Sequence, residues 1–185
     1  SHPKVDSETI VRNQYEMQKF LNKFTLAKAS LNKPIPEPIK TGLTINSISF
    51  INHKKAEIQA ELYQIYNQKT IKEMTYIDAN TKKNIPKIYI KDSSNVAWEE
   101  TLHKQNGDTT IINWKLRCTM FVSSNYEKYP FDKKHIQLSL CHKNPISNLI
   151  FVPDFKAYGK IQKFDFPWIS GAAALEGHVI DKSFI

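Results

Sequence analysis

The chain has 185 residues, enough for one domain with a substantial core, and its 41% hydrophobic and 11% aromatic content fits a folded protein. Its net charge of +8 raises nucleic acids and anionic surfaces as partners. The lysines are scattered, however, and no zinc-ligand spacing, RNA-binding sheet signature or helix-turn-helix pattern accompanies them. We therefore predict no nucleic-acid partner, and no apolar run approaches the roughly 18 residues of a membrane span.

The first predicted element is a long helix over residues 7–31, a stretch without Gly or Pro that Asp6 or Ser7 can cap. Its apolar stripe is broken only by Asn13 and consists of Ile10, Met17, Phe20, Phe24, Ala27 and Leu31. Two interpretations stay open: the stripe packs the helix on the domain, or it forms a coiled-coil stalk leading to a membrane anchor. Residues 1–33 are therefore set apart from a second unit, residues 34–185.

Prolines at positions 34, 36 and 38 end this helix, and the chain then alternates apolar and polar residues as β-strands do. The predicted strands are 39–51, 56–66, 85–91, 109–122, 136–140, 148–152 and 169–180. The pair Asn106-Gly107 marks a tight hairpin. Strands at this spacing with short polar turns indicate an all-β sandwich and not alternating strands and helices.

The connector between strands 109–122 and 136–140 carries the most informative motif, because it is far longer than the roughly 2 to 5 residues of common hairpin loops. Its centre reads Tyr129, Pro130, Phe131 and Asp132. This pattern resembles the signature loop of the Cys-loop receptors, the pentameric ligand-gated ion channels. Animal members close the loop with two cysteines. Val122 and Ile136 stand at those positions here, as apolar residues do in bacterial members, which lack the disulfide.

The resemblance extends over about residues 36–185, and its order follows that of the family. Segments 41–48, 60–66, 149–151 and 168–171 are similar to family strands, although Asn84 replaces a usual tryptophan. The resemblance implies an immunoglobulin-like β-sandwich without catalytic chemistry, metal or cofactor. The residues agree, since the sequence has no Gly-rich phosphate loop, no Cys-x-x-Cys and no His-x-x-x-His. We therefore predict that the chain is not an enzyme.

The resemblance also implies a ligand pocket between subunits. Counting from the matching motifs, the positions of the family's aromatic cage fall on Glu61, Tyr63, Lys91 and either His142 or Lys143. The polar face of strand 109–122 adds Asn113, Lys115 and Arg117 across the interface. A set so rich in cations suits a carboxylate or another anion, which Arg117 can bind through two parallel hydrogen bonds. The alternative is a solvated strand face and a vestigial pocket.

The two cysteines, Cys118 and Cys141, are candidates for a bridge between neighbouring strands of an exported protein. Alternation argues against the bridge, because Cys118 shares the inward face with Trp114 and Leu116, whereas Cys141 is out of phase with inward Leu140. Partners in a disulfide need Cβ atoms about 3.8 Å apart.

Three functions stay open. The first is the periplasmic or extracellular ligand-sensing domain of a bacterial pentameric channel-like receptor in the inner membrane. The second is the periplasmic sensor domain of a membrane kinase or cyclase, which would be a dimer. The third is an adhesion module without a small-molecule ligand. In the first two, segments outside this chain reach the membrane. The family continues after residue 180 into a mobile loop and a tenth strand, and loss of that strand would leave an exposed sheet edge.

Overall fold

The computed structural model describes residues 14–32, 34–124, 134–144, 146–154 and 180–184. Strands predominate in these residues, and the helices among them are α1 (Gln14–Ser30) and the single turn α2 (Ile71–Met74). The strands are β1 (Glu37–Phe50), β2 (Lys55–Asn67), β3 (Thr75–Ile77), β4 (Asn84–Pro86), β5 (Ile88–Ile90), β6 (Ser93–Asn106), β7 (Thr109–Phe121), β8 (Ser123–Ser124), β9 (Lys134–Leu138), β10 (Leu140–His142), β11 (Leu149–Pro153) and β12 (Ile180–Phe184). The prediction of a mainly β fold is confirmed.

The largest sheet has five strands in the order β11-β1-β2-β7-β6. All neighbours are antiparallel except β1 and β11, which run parallel. Strands β2 and β7 pair without a register shift from Lys55 opposite Phe121 to Asn67 opposite Thr109. Both strands alternate strictly between buried and more accessible residues, so one slip in register would turn every apolar side chain to the solvent.

The core lies between the inner face of this sheet and a second layer that includes β5 and β10. Ile88, Ile90 and Leu140 of that layer belong to the same buried cluster as the inner residues of β2 and β7. The largest fully buried side chains include Trp114, Tyr66, Phe151, Ile39, Leu43 and Ile58. Burial of each such side chain contributes roughly 1.5–3 kcal/mol to folding.

A chain of buried polar groups crosses the inner face from β2 to β1. The Tyr66 hydroxyl donates to Gln64 Oε1 at 2.7 Å, and Gln64 Nε2 donates to Thr41 Oγ1 at 3.1 Å. The Thr41 hydroxyl in turn donates to the carbonyl of Ile39. Trp114 Nε1 is buried near the Tyr66 hydroxyl but has no partner in normal hydrogen-bond geometry. These bonds satisfy polar groups that would otherwise destabilise the interior.

Helix α1 is shorter than predicted. It spans 17 residues, and the long helix over residues 7–31 is not seen; residues 7–13 lie outside the described part of the chain. It ends at Ser30 because Asn32 takes a positive φ of 53° and donates its N–H back to the carbonyl of Ala29. Met17, with Phe20 and Leu21 beside it, packs on Ile150 and Val152 of β11. Leu31, which the stripe placed on the same side, is 65% exposed.

Two predicted strands are each divided in two. Segment 85–91 breaks at Lys87, whose N–H donates to Met74 and whose carbonyl accepts from Lys143, so β4 pairs with β3 while β5 pairs with β10. Segment 136–140 breaks at Ser139, whose carbonyl accepts the N–H of Lys91. At each break, the two halves of one predicted strand join different small sheets.

Strand β6 was not predicted, nor were α2 and β3. The 14 residues of β6 form an edge of the five-stranded sheet and are mostly exposed on both faces. The predicted Asn106-Gly107 hairpin does join β6 to β7, with Gly107 at a φ of +62° that suits glycine. The predicted strand 169–180 lies outside the described residues except for its last residue, which begins β12.

Candidate functional site

Five of the predicted ligand-contacting residues lie together on the outer face of the five-stranded sheet. Cross-strand pairing places Tyr63 opposite Asn113 and Glu61 opposite Lys115, and Arg117 follows opposite Gln59. We call these residues, together with Glu57, the outer polar face: Glu57, Gln59, Glu61, Tyr63, Asn113, Lys115 and Arg117. Neighbouring residues on one face of a sheet are within reach of one small ligand.

The charges of the outer polar face alternate in sign. Lys115 lies between Glu61 of β2 and Glu99 of β6 in the strand register. Arg117 Nε is 3.9 Å from Glu57 Oε1, and the two side chains are 64% and 40% exposed. An exposed pair at that distance stabilises the fold by at most about 1 kcal/mol and exchanges partners at little cost. The face therefore offers cations that are accessible to an anion but already balanced by carboxylates.

Tyr63 is the aromatic member of this face, and two contacts fix it. Its ring lies against the backbone of Gly42 on β1, where a Cβ atom would collide with the ring. Its hydroxyl donates to Asp154 Oδ2 at 2.8 Å. Asp154 is buried and its N–H donates to the carbonyl of Thr41, so the residue after β11 reaches across β1 to β2. The tyrosine is thus held in one orientation by its neighbours.

Gly42→Ala is expected to lower the free energy of unfolding by about 1.5 kcal/mol, because the new methyl group displaces the Tyr63 ring from Asp154. Chemical denaturation measures the effect. In a Tyr63→Ala background the same substitution meets no ring and should be nearly neutral. Equal effects in the two backgrounds would show that the ring is not what Gly42 accommodates.

The other three predicted residues lie apart from the outer polar face, around the pairing of β5 with β10. Lys91 follows β5 and is exposed, while His142 and Lys143 end β10 at the opposite end of the three-residue ladder. The sequence grouped Lys91 and either His142 or Lys143 with Glu61 and Tyr63 as cage positions. In the fold, Lys91 lies at the opposite end of the β5–β10 ladder from His142 and Lys143.

His142 is engaged at both ring nitrogens. Its Nδ1 accepts the N–H of Asn144 at 2.9 Å, so Nε2 carries the proton and donates to the carbonyl of Glu73 at 2.7 Å. The ring therefore joins β10 to α2 in its neutral form. A ligand would have to displace one of these bonds, so the geometry assigns His142 a structural role.

Lys143 is paired with an aromatic ring. Its Nζ donates to the Tyr76 hydroxyl at 2.8 Å and lies 5.2 Å from the centre of that ring. The hydrogen bond from the Thr81 hydroxyl is the main cause of the lowered pKa of Asp78, and the positive charge of Lys143 adds a smaller contribution. Lys143 and Tyr76 form a small exposed cation and ring pair at the end of β10.

A shallow groove of about 430 Å³ lies elsewhere, between the β3–β4 turn and β6. It is lined by Lys83, Asn84, Glu99, Glu100, Thr101, Leu102 and His103. Asn84 Nδ2 donates to Glu100 Oε2 at 3.2 Å, and His103 Nδ1 lies 2.8 Å from Glu100 Oε1. This groove was not predicted from the sequence because β6 was not predicted. The Asn106-Gly107 turn, which requires a strand before it, was the signal that could have found it.

Both cysteines are free thiols. Cys118 is buried in the core, and burial raises the pKa of its thiol to about 11; Cys141 is partly buried and its pKa is raised for the same reason. Within the described ranges, no three His, Cys, Asp or Glu side chains are grouped so that they could hold a metal ion. In the same part of the chain, no helix is long and apolar enough to cross a membrane.

The signature motif Tyr129, Pro130, Phe131 and Asp132 lies outside the described residues. No family model matches the chain, and no curated protein matches its sequence.

Proposed function

We propose that this chain is the ligand-sensing domain of a bacterial membrane receptor of the Cys-loop receptor type, with an immunoglobulin-like β-sandwich. In this proposal it lies on the periplasmic or extracellular side, assembles with further copies of itself, binds a small anionic ligand between subunits, and passes the signal to a membrane part outside this chain. The proposal combines the motif series of the sequence with the sheet-rich fold.

The observation that carries the proposal is the outer polar face. Glu61 and Tyr63 were chosen by offset from Tyr66. Asn113, Lys115 and Arg117 were chosen as the polar face of another strand, and the five residues occupy three consecutive cross-strand rows of one sheet. The face is a continuous surface that a second subunit can cover. Lys143 of that second subunit, at the end of its β10, would supply the opposite wall of the pocket.

Arg117 is the residue best placed to bind the anion. Its guanidinium is exposed, and Glu57 at 3.9 Å holds it too weakly to compete with a carboxylate bound through two hydrogen bonds. Tyr63 and Asn113 lie two cross-strand rows from Arg117 on the same face and offer a ring and an amide to the rest of the ligand. Glu61, beside Lys115, would exclude ligands with more than one negative charge at that end.

Calorimetric titration with acetate, succinate and glutamate tests the site. We expect Arg117→Ala to weaken binding of the preferred carboxylate about 30-fold, the effect of losing a charged pair of hydrogen bonds, and Lys143→Ala to weaken it less. Lys104→Ala, an exposed cation on β6 outside the site, should bind as the wild type does. Identical binding by the wild type, Arg117→Ala and Lys143→Ala would contradict the assignment.

Sedimentation velocity separates this function from the sensor alternative. A receptor of the channel type should form pentamers in the presence of the carboxylate, whereas a kinase or cyclase sensor should form dimers. A monomer that binds none of the three carboxylates would favour the adhesion module.

A further inference from the structure

The β1–β2 hairpin ends in an apolar and basic tip next to the end of β7. The large apolar side chains of Phe50, Ile51 and Phe121 are 44%, 59% and 55% exposed there. Lys54 and Lys55 lie between them and are exposed as well. We call these five residues the hairpin tip.

Hydrogen bonds hold the hairpin tip in one shape. Asn52 Oδ1 accepts the N–H groups of Lys54 and Lys55 at 2.8 and 3.0 Å, which closes the turn. The carbonyl of Lys54 accepts the N–H of Val122 at 2.8 Å, so the turn is tied to the end of β7. These backbone groups already have partners. A protein strand would therefore gain little by pairing with the tip, and recognition there has to come from side chains.

The side chains combine two properties. Phe121 shares the outer face of the sheet with Lys55, whose Nζ lies 5.6 Å from the centre of the Phe121 ring. Phe50 is opposite Ala56 and lies at the end of the inner face, so the tip presents exposed apolar groups on both sides of the sheet. Two acidic residues lie beside the tip: Asp92, whose carbonyl accepts the N–H of Phe121, and Glu57, the next residue after Lys55 on the outer face. Glu57 is paired with Arg117, so Lys54 and Lys55 leave the tip net positive. Exposed aromatic and apolar groups of this kind enter the interfacial region of a bilayer, while lysines are attracted to anionic headgroups.

We propose that the hairpin tip is a docking surface for an anionic lipid bilayer, with Phe50, Ile51 and Phe121 at the level of the headgroups and Lys54 and Lys55 on lipid phosphates. The positive charge of the tip and its exposed apolar side chains both match such a surface. This role requires no ligand at the outer polar face, so it goes beyond the proposed function and does not depend on it.

Co-sedimentation with vesicles tests the proposal against the overall charge of the chain, which by itself attracts anionic lipid. The wild type should bind vesicles of phosphatidylcholine mixed with phosphatidylglycerol far more tightly than it binds vesicles of phosphatidylcholine alone. Lys54→Gln with Lys55→Gln should lower the partition coefficient about 30-fold. The matched control is Lys82→Gln with Lys83→Gln in the β3–β4 turn. That turn lies beside residues 99–103 of β6, away from the tip, which is level with Ser93 at the start of β6. This control should stay within about threefold of the wild type, because only the overall charge changes.

The apolar contribution is tested with Phe121→Ser, which should lower partitioning about tenfold, and with Leu102→Ser as an equally exposed control on β6 that should change nothing. Equal losses from the two lysine pairs, or an unchanged partition coefficient for Phe121→Ser, would overturn the proposal. Phe121→Trp gives a second measurement that does not depend on deleting the tip, since lipids brominated in their acyl chains should quench its added fluorescence. Absence of quenching at saturating vesicle concentration would also overturn the proposal. Tip variants should bind the carboxylates as tightly as the wild type does. Loss of vesicle binding can therefore be told apart from loss of the ligand binding that the proposed function requires.

Discussion

Trp114→Ala is expected to lower the free energy of unfolding by about 3–5 kcal/mol, the largest effect of any single substitution considered for this chain. The indole is fully buried at the middle of β7, opposite Leu62 of β2 and Glu100 of β6. Its removal leaves a cavity that the sheet cannot close, because β2 pairs with β7 without a register shift over the whole length of both strands. Equilibrium unfolding in urea, followed by circular dichroism, measures the change.

Two further tryptophan variants separate volume from hydrogen bonding. Trp114→Phe keeps an aromatic ring and loses an N–H that has no partner. It should therefore lower the free energy of unfolding by less than about half as much as Trp114→Ala does. Trp98→Ala on β6 is only partly buried and should cost about 1–2 kcal/mol. If Trp98→Ala and Trp114→Ala lowered the free energy of unfolding equally, the prediction that Trp114 is the main core side chain of this sheet would be wrong.

Alkaline pH is expected to destabilise the protein by about 3 kcal/mol through Cys118 alone. The thiol ionises near its ordinary pKa of 9.0 when the chain is unfolded, whereas burial raises its pKa in the fold to about 11. Above pH 9 the unfolded state therefore binds fewer protons than the folded state, and stability falls by about 1.4 kcal/mol per pH unit until pH 11 is reached. Below pH 9 this contribution is fully present.

Cys118→Ala is the matched variant for this effect. It should be less stable than the wild type at pH 8, because a buried group is lost, but its stability should fall less steeply between pH 9 and 11. Tyr66, whose pKa burial raises well above its usual range, adds a further decline above pH 10 in both proteins. Parallel pH profiles for the two proteins would rule out a buried, protonated Cys118.

Strands β2 and β7 were predictable almost to the residue, because each alternates apolar and polar side chains over its whole length and each is half-buried. Strand β6 gave no such signal. As an edge strand it buries little on either face, so residues such as Glu99, Glu100 and His103 are tolerated at successive positions. The division of segment 85–91 could not be predicted for another reason. It depends on the hydrogen bonds that Lys87 donates to the carbonyl of Met74 and accepts from the N–H of Lys143, and both partners are distant in sequence.

The same distinction separates the residues of the candidate site. Strand period alone indicates that Glu61 and Tyr63 share one face of β2 and that Asn113, Lys115 and Arg117 share one face of β7. The sequence set these two groups on opposite sides of a subunit interface, whereas the pairing of β2 with β7 puts them on one sheet face of the same chain. The roles of His142 and Lys143 do not follow from period. They depend on Glu73 and Tyr76, whose positions are set by the unpredicted turn α2 and strand β3. The positions of the carboxylates around Lys115 and Arg117 could not be predicted, because they depend on the register of β2, β6 and β7.

The parallel pairing of β1 with β11 has a consequence for synthesis on the ribosome. Glu37–Phe50 emerges early, yet its parallel partner is Leu149–Pro153, and the nearby bond from Asn148 to Ile35 joins residues 113 positions apart. At translation rates of about 5–20 residues per second, this edge of β1 stays open for on the order of 10 s. A nascent chain with an open, half-apolar strand is a substrate for chaperones, and β1 is the segment on which we expect them to act.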